Sequence, residues 1–301
     1  MKTRSVIRFF GVSLVVTLPV LLSSGCFTRE NVQRGSAIND KVGPNKATAA
    51  DANIIQLIPD NAEAYARRGS ARQAKGDMDG AIADFTEAIR LKADYAAAYA
   101  KRGAAKQAKG NLDGAIADFS RAIELRPDFA ETYVDRGYAE NNKGDLDGSI
   151  ADNTKAIQLQ PTNAEAYNNR GWARNRKGDD AGAIEDYTKA IQVKPNYAEA
   201  YSNLGFMKNA RHDFEGAIAD CTKAIQFKPD HALAYNNRGF AKNGKGDLDG
   251  AIADYTRAIQ LDPYYWIAYD NRGNAKQAKG DLTGAKADHA RANNIRSPDW
   301  R

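Results

Sequence analysis

The chain of 301 residues carries 43 basic and 38 acidic side chains, a formal charge of +5, and length alone allows one or two globular domains. Lys2, Arg4 and Arg8 supply most of that excess; setting them aside leaves 40 basic against 38 acidic residues, which excludes the basic stripe a nucleic acid requires. Two cysteines, Cys26 and Cys221, exclude a disulfide framework, and neither stands at a metal-ligand spacing.

Residues 1–25 read as an export signal. A basic start is followed by the mostly apolar run from Phe9 to Leu22 and by the small residues Ser23, Ser24 and Gly25 ahead of Cys26. The apolar run falls short of the roughly 20 residues that cross a bilayer, so a permanent transmembrane anchor ranks second. The ending Leu22-Ser23-Ser24-Gly25-Cys26 resembles the lipobox of bacterial lipoproteins, with Ser23 where an aliphatic residue is commoner. That resemblance implies a lipid on Cys26, hence a membrane-anchored lipoprotein of the cell envelope facing the periplasm. Phe27, in place of the retention residue Asp, implies the outer membrane as the default where one exists. Residues 26–47 are polar, with Gly35, Gly43 and Pro44, and read as a flexible tether. Residues 48–61 read as a partial capping helix, because Ile55, Leu57 and Pro59 fall in the columns of Ile89, Leu91 and Ala93.

From Ala62 the sequence repeats every 34 residues without insertion or deletion: 62–95, 96–129, 130–163, 164–197, 198–231, 232–265 and 266–299. Tyr65, Tyr99, Tyr133, Tyr167, Tyr201, Tyr235 and Tyr269 share one column, and a glycine follows each of them four residues later. A glycine inside a helix costs about 1 kcal/mol relative to alanine, so its return in every copy predicts close helix-to-helix approach. The turn is Lys-Gly-Asp-Leu-Asp-Gly in its commonest form (143–148 and 245–250), with glycine ending the first helix and Asp capping the second. The second helix reads Ala-Ile-Ala-Asp-Tyr/Phe-Thr, and Pro127, Pro161, Pro195, Pro229 and Pro263 stop it. One such hairpin cannot bury its apolar face alone, so the copies stack into a solenoid. Lys286, His289 and Asn293 give the last helix a polar face and predict the end of the array.

These columns resemble the tetratricopeptide repeat family over nearly four fifths of the chain. The resemblance implies an all-α, right-handed superhelical solenoid of seven helix-turn-helix repeats whose first helices line a concave surface. Two columns depart from the family pattern. Arg68, Arg102, Arg136, Arg170, Arg238 and Arg272 stand where Leu is usual, and Lys, Arg or Glu where Tyr is usual. Asp84, Asp118, Asp152, Asp186, Asp220, Asp254 and Asp288 recur in the second helices, which predicts an Arg–Asp ladder of structural role, with Asp220 unpartnered because Leu204 replaces its arginine.

The binding face is expected on the first helices. Asn168, Trp172 and Asn175 are spaced i, i+4, i+7 and share a side. The same columns hold Tyr138, Phe206 and Phe240, and Asn141, Asn209 and Asn243; a further column holds Asn169, Asn203, Asn237 and Asn271. An asparagine amide both donates to and accepts from a peptide unit, so the row is read as a holder of an extended backbone whose side chains the aromatics grip. The competing reading is aromatics packed on the next helix and asparagines that cap or stay solvated. The Lys and Arg pattern of the family's carboxylate clamp is absent, as Ala66, Ala100, Asn168 and Asn236 show. Asp145 and Asp147 cap a turn and lack the acidic closure of a calcium loop, and Cys221, in the aromatic column, reads as a buried inert thiol. No reactive cluster, cofactor motif or metal motif emerges, so an enzyme is not expected. The expected function is an envelope scaffold binding a protein or extended peptide partner. The alternative is an assembly factor that oligomerises or braces a machine through its convex face.

Overall fold

The computed structural model describes residues 58–296, preceded by Ala52, Ile55 and Gln56, which are helical. The export signal, Cys26, the tether and half of the capping segment at 48–61 lie outside the described residues, as do residues 297–301. From Ala62 on, the described residues form fourteen α-helices and no strand. These are α1 (Ala62–Ala74), α2 (Met78–Leu91), α3 (Ala96–Ala108), α4 (Leu112–Leu125), α5 (Ala130–Lys143), α6 (Leu146–Leu159), α7 (Ala164–Arg176), α8 (Asp180–Val193), α9 (Ala198–Ala210), α10 (Phe214–Phe227), α11 (Ala232–Gly244), α12 (Leu248–Leu261), α13 (Trp266–Lys279) and α14 (Leu282–Arg296). Each odd-numbered helix pairs with the even-numbered one after it. Every helix packs on its successor, and each first helix also touches the first helix of the next repeat.

The turns follow from their residues. Asp77, Asn111, Asp145, Asp179, Asp213, Asp247 and Asp281 each accept the backbone N–H three residues on, at 2.8 to 3.0 Å. Before the cap the chain turns left-handed, on glycine in six repeats and on His212, at φ 60°, in the fifth.

Close approach explains the helical glycine. A Cβ on Gly171 would lie 2.9 Å from Cε1 of Tyr187, and one on Gly103 would lie 2.8 Å from Cε1 of Phe119. In repeats one, two, four and six the ring of the second helix (Phe85, Phe119, Tyr187 and Tyr255) therefore lies against a strip of bare backbone. Around it Ala81, Ala115, Ala183, Ala217 and Ala251 are fully buried, so the core is thin and alanine-rich.

The Arg–Asp ladder forms. In repeat four Arg170 Nε donates to Asp186 Oδ2 at 2.9 Å and Nη2 to Oδ1 at 2.6 Å. The same fork joins Arg68 to Asp84, Arg102 to Asp118, Arg136 to Asp152, Arg238 to Asp254 and Arg272 to Asp288. Each guanidinium lies 5.4 to 5.9 Å from the ring centroid of the tyrosine three residues before it. The third nitrogen reaches outward: Nη1 of Arg102, Arg136, Arg170, Arg238 and Arg272 donates to a Thr or Ser hydroxyl of the preceding repeat at 3.0 to 3.3 Å.

Six of the aspartates also meet a cation from the next turn of the first helix. Arg72, Lys106, Arg174, Lys208, Lys242 and Lys276 stand 2.7 to 3.1 Å away. This corrects the expectation for repeat five: Leu204 leaves the arginine position, yet Lys208 Nζ holds Asp220 at 2.7 Å. Repeat three is the exception, with the buried Glu140 at the cation's place. Burial, then repulsion from Asp152, pushes its carboxyl up to about 7, and its Oε2 has no partner.

Removing one member of a rung strands charge in a half-buried seam. Asp186→Ala, which leaves both Arg170 and Arg174 without their carboxylate, is expected to lower unfolding free energy by about 2–4 kcal/mol in urea melts. Glu140 carries the opposite sign. Its folded pKa lies above its unfolded value, so ionisation costs stability as pH rises from the usual carboxylate range through about 7. Glu140→Gln is expected to match the parent near pH 5 and to exceed it by about 1–3 kcal/mol at pH 8.

Candidate functional site

The first helices carry four columns committed to the stack: the Tyr, Arg, Gly and Ala positions described above. What remains for a ligand is the residue directly after each helical glycine and its neighbours. That position holds Tyr138 on α5, Trp172 on α7, Phe206 on α9 and Phe240 on α11. Phe206 and Phe240 are 38% and 41% exposed, high for rings of this size, while Tyr138 and Trp172 are half-buried. The Arg176 guanidinium lies 4.8 Å from the Trp172 ring centroid, and its Nη1 donates to the Asn141 carbonyl at 2.9 Å. Trp172 is thus held in place from the repeat before it.

The asparagines behave differently. Asn141, Asn168, Asn169, Asn209 and Asn237 are buried between first helices. Asn141 Nδ2 donates to the Asn169 carbonyl at 3.2 Å, and Asn209 Nδ2 repeats the bond to the Asn237 carbonyl at 2.8 Å. Asn237 Nδ2 reaches the Ser202 carbonyl at 3.3 Å, and Asn203 Nδ2 reaches Asn168 Oδ1 at 2.9 Å. Asn175 turns to Asp180 Oδ1 at 3.0 Å, and Asn243 is half-buried. The amide donors of Asn141, Asn203, Asn209 and Asn237 are therefore spent across helix contacts. The row expected to hold a backbone is largely mortar, and the aromatic column is what faces outward.

The residues leave one cluster that the sequence reading passed over. Asp135 on α5 is half-buried, and its carboxyl is pushed up to about 7 by burial and then by Glu165 and Glu131, against the pull of Lys101. Burial lowers the Lys101 ammonium in turn. A signal was present in the sequence: Glu131 and Glu165 share a column one helical turn before Asp135 and Asn169. Cys221 is buried, as expected, and burial followed by Asp220 pushes its thiol up to about 12, which leaves it inert near neutrality.

Comparison with known proteins decides the family. The TPR repeat profile matches residues 69–110, 107–142, 137–178 and 173–209, and the Tetratricopeptide repeat profile matches 232–265. The chain belongs to the tetratricopeptide repeat family. No curated protein matches this tetratricopeptide repeat chain. Among solved structures it is similar to the APC/C hetero-tetramer Cut9–Hcn1, with TM-score 0.69, 17% identity, and coverage of 81% of this chain and 47% of that one. The chain thus spans about half the length of that relative. It is also similar to a tetratricopeptide repeat protein from Parabacteroides merdae, with TM-score 0.63, 18% identity and coverage of 79% and 94%. YrrB, a TPR protein with an unusual peptide-binding site, matches with TM-score 0.51, 21% identity and coverage of 62% and 95%. At these identities the likeness is one of fold.

The packing role of the asparagines has its own test. Asn209→Ala, which leaves the Asn237 carbonyl without its donor, is expected to lower stability by about 1–3 kcal/mol with no ligand present, read from thermal melts followed by circular dichroism.

Proposed function

We propose that the protein is a non-catalytic scaffold of the bacterial cell envelope, held to the membrane by a lipid on Cys26, that takes a protein or extended peptide segment against the first helices of its middle repeats. The observation that carries the binding half is the aromatic column. Large rings stand exposed at Phe206 and Phe240, continue through Trp172 and Tyr138, and give way to Ser70, Ala104 and Asn274 in the outer repeats. A ring column confined to the middle of an array fits a ligand, because the outer repeats stack without it. The fold is one in which YrrB has an unusual peptide-binding site, and that precedent bears on this chain through the fold alone. Trp172 supplies an indole N–H and Tyr138 a hydroxyl beside those rings, donors suited to backbone carbonyls of an extended segment. The asparagines contribute by fixing the spacing of the helices that present the rings.

The envelope half rests on the basic start, the apolar run and the Leu-Ser-Ser-Gly-Cys ending. The alternative, bracing through the second helices, has its support in the exposed Leu159 and Phe227 at the ends of α6 and α10. The two readings separate by mutation. Trp172→Ala with Phe206→Ala is expected to abolish crosslinking of a partner from a photoreactive residue at position 240 in living cells, with the helical signal and melting temperature retained. Undiminished capture by that variant rejects the groove. Metabolic labelling with a fatty acid is expected to mark the parent chain and to vanish in Cys26→Ser; an unlabelled parent rejects the anchor.

A further inference from the structure

Six junctions join the seven repeats, and five of them share two polar links. One is the arginine nitrogen that crosses to a hydroxyl of the preceding repeat, as from Arg170 to Thr154 at 3.1 Å and from Arg238 to Thr222 at 3.3 Å. The other ties the lysine that ends a first helix to an acid in the first turn of the preceding second helix: Lys109 to Asp79, Lys143 to Asp113, Lys177 to Asp147, Lys245 to Glu215 and Lys279 to Asp249.

Between repeats four and five, where α8 meets α9, both links are missing among the described residues. Leu204 occupies the arginine position, so Thr188 has no arginine to accept from. Its bond to the Ile184 carbonyl at 2.7 Å is the one that Thr86, Ser120 and Thr256 make to their own helices at the linked joints as well. Ala181 occupies the acid's position opposite Arg211, which occupies the lysine's. Two independent substitutions in two repeats thus remove two independent links from one joint. The amide bond that Asn141 and Asn209 make to the next helix is absent there too, since Asn175 turns to Asp180 of its own repeat. Apolar packing remains at the joint, Leu204 and Met207 with Ala183 and Tyr187 and Tyr197 and Ala200 with Ala164, Tyr167 and Ala190, together with the amide pair of Asn203 and Asn168.

The physical difference is one of direction. Charge-assisted bonds fix angle as well as distance, whereas apolar contact is non-directional and lets packed helices slide. In a stack where each repeat touches only its neighbours, bending concentrates at the least constrained joint. We propose that the α8–α9 junction is a built-in hinge between residues 62–197 and 198–296. Trp172 on α7 and Phe206 on α9 lie on its two sides, so flexing changes the separation of the two central rings. In this respect the proposal rests on the binding reading, while the hinge itself stands without it.

Glu124, Gln192 and Gln260 test it, because all three are exposed, share one column and are spaced by two repeats. Spin labels on the 124 and 192 pair span two linked joints; labels on the 192 and 260 pair span the proposed hinge. With no ligand present, the distance distribution across 192 and 260 is expected to be about twofold broader than that across 124 and 192. Ala181→Asp with Leu204→Arg, which restores both links, is expected to narrow it to the width of the other pair. Ala181→Asp alone, at an exposed site, gives part of that narrowing and serves if the double variant does not fold. Equal widths in the parent chain overturn the hinge whatever the groove binds, and loss of crosslinking in the ring variants bears only on the groove.

Discussion

A charged fork between two helices sets the terms for everything else in this solenoid. Each ladder arginine meets its own aspartate with two nitrogens and lies against a tyrosine of its own helix, and from the second repeat on it sends its third nitrogen to the repeat before it. One side chain therefore ties the inside of a repeat to the outside of its neighbour. Burying such a pair gains little net energy over well-packed hydrocarbon, because desolvation offsets the attraction. Its contribution is geometric: a planar guanidinium with all its edges engaged permits one orientation of three helices at once. Where leucine replaces it, the packing remains and the orientation is no longer dictated.

That constraint also decides which residues are left for binding. Tyr, Arg, Gly and Ala columns consume most of the first helix, and buried asparagines consume much of the remainder by bonding to the next helix. A single column stays free to vary without harming the stack. It is serine, alanine or asparagine at the ends of the array and a large ring in the middle, so the proposed ligand face is a local decoration on a uniform frame. The acidic group around Asp135 lies at the N-terminal edge of that decorated stretch and gives the face a polar border.

Much of this was legible in the sequence because the informative spacings are fixed. The 34-residue period, the Asp caps, the left-handed turn glycines and the pairing of Arg with an Asp 16 residues on all follow from local geometry repeated without slippage. The failures share a cause. Whether Asn169 looks into a groove or into the next helix depends on how far one repeat is rotated against another, a quantity that no single repeat encodes. Asp220 gained Lys208 because a second cation had been present in nearly every repeat, masked by the more regular arginine. Glu140 was hidden in the same way, as one acid in a column of bases. The absent links at α8–α9 emerge only when a residue from one repeat is read against a residue from another.

The near identity of the repeats bears on how the chain finds its own order. Surfaces that match every neighbour carry no label of position, so α2 offers α5 almost what it offers α3, and a growing chain can join copies that are not adjacent. The departures are what break this degeneracy. Asn153 and Cys221 replace the ring that lies on the helical glycine, Glu140 and Leu204 alter the ladder, and all four fall in repeats three and five, one on each side of the fourth. A second helix built to seat a tyrosine on bare backbone does not fit the same seat with asparagine or cysteine. The odd residues that look like defects in a perfect repeat are thus register marks, and a chain regularised to seven equal copies would be expected to fold with less certainty about which copy stands next to which.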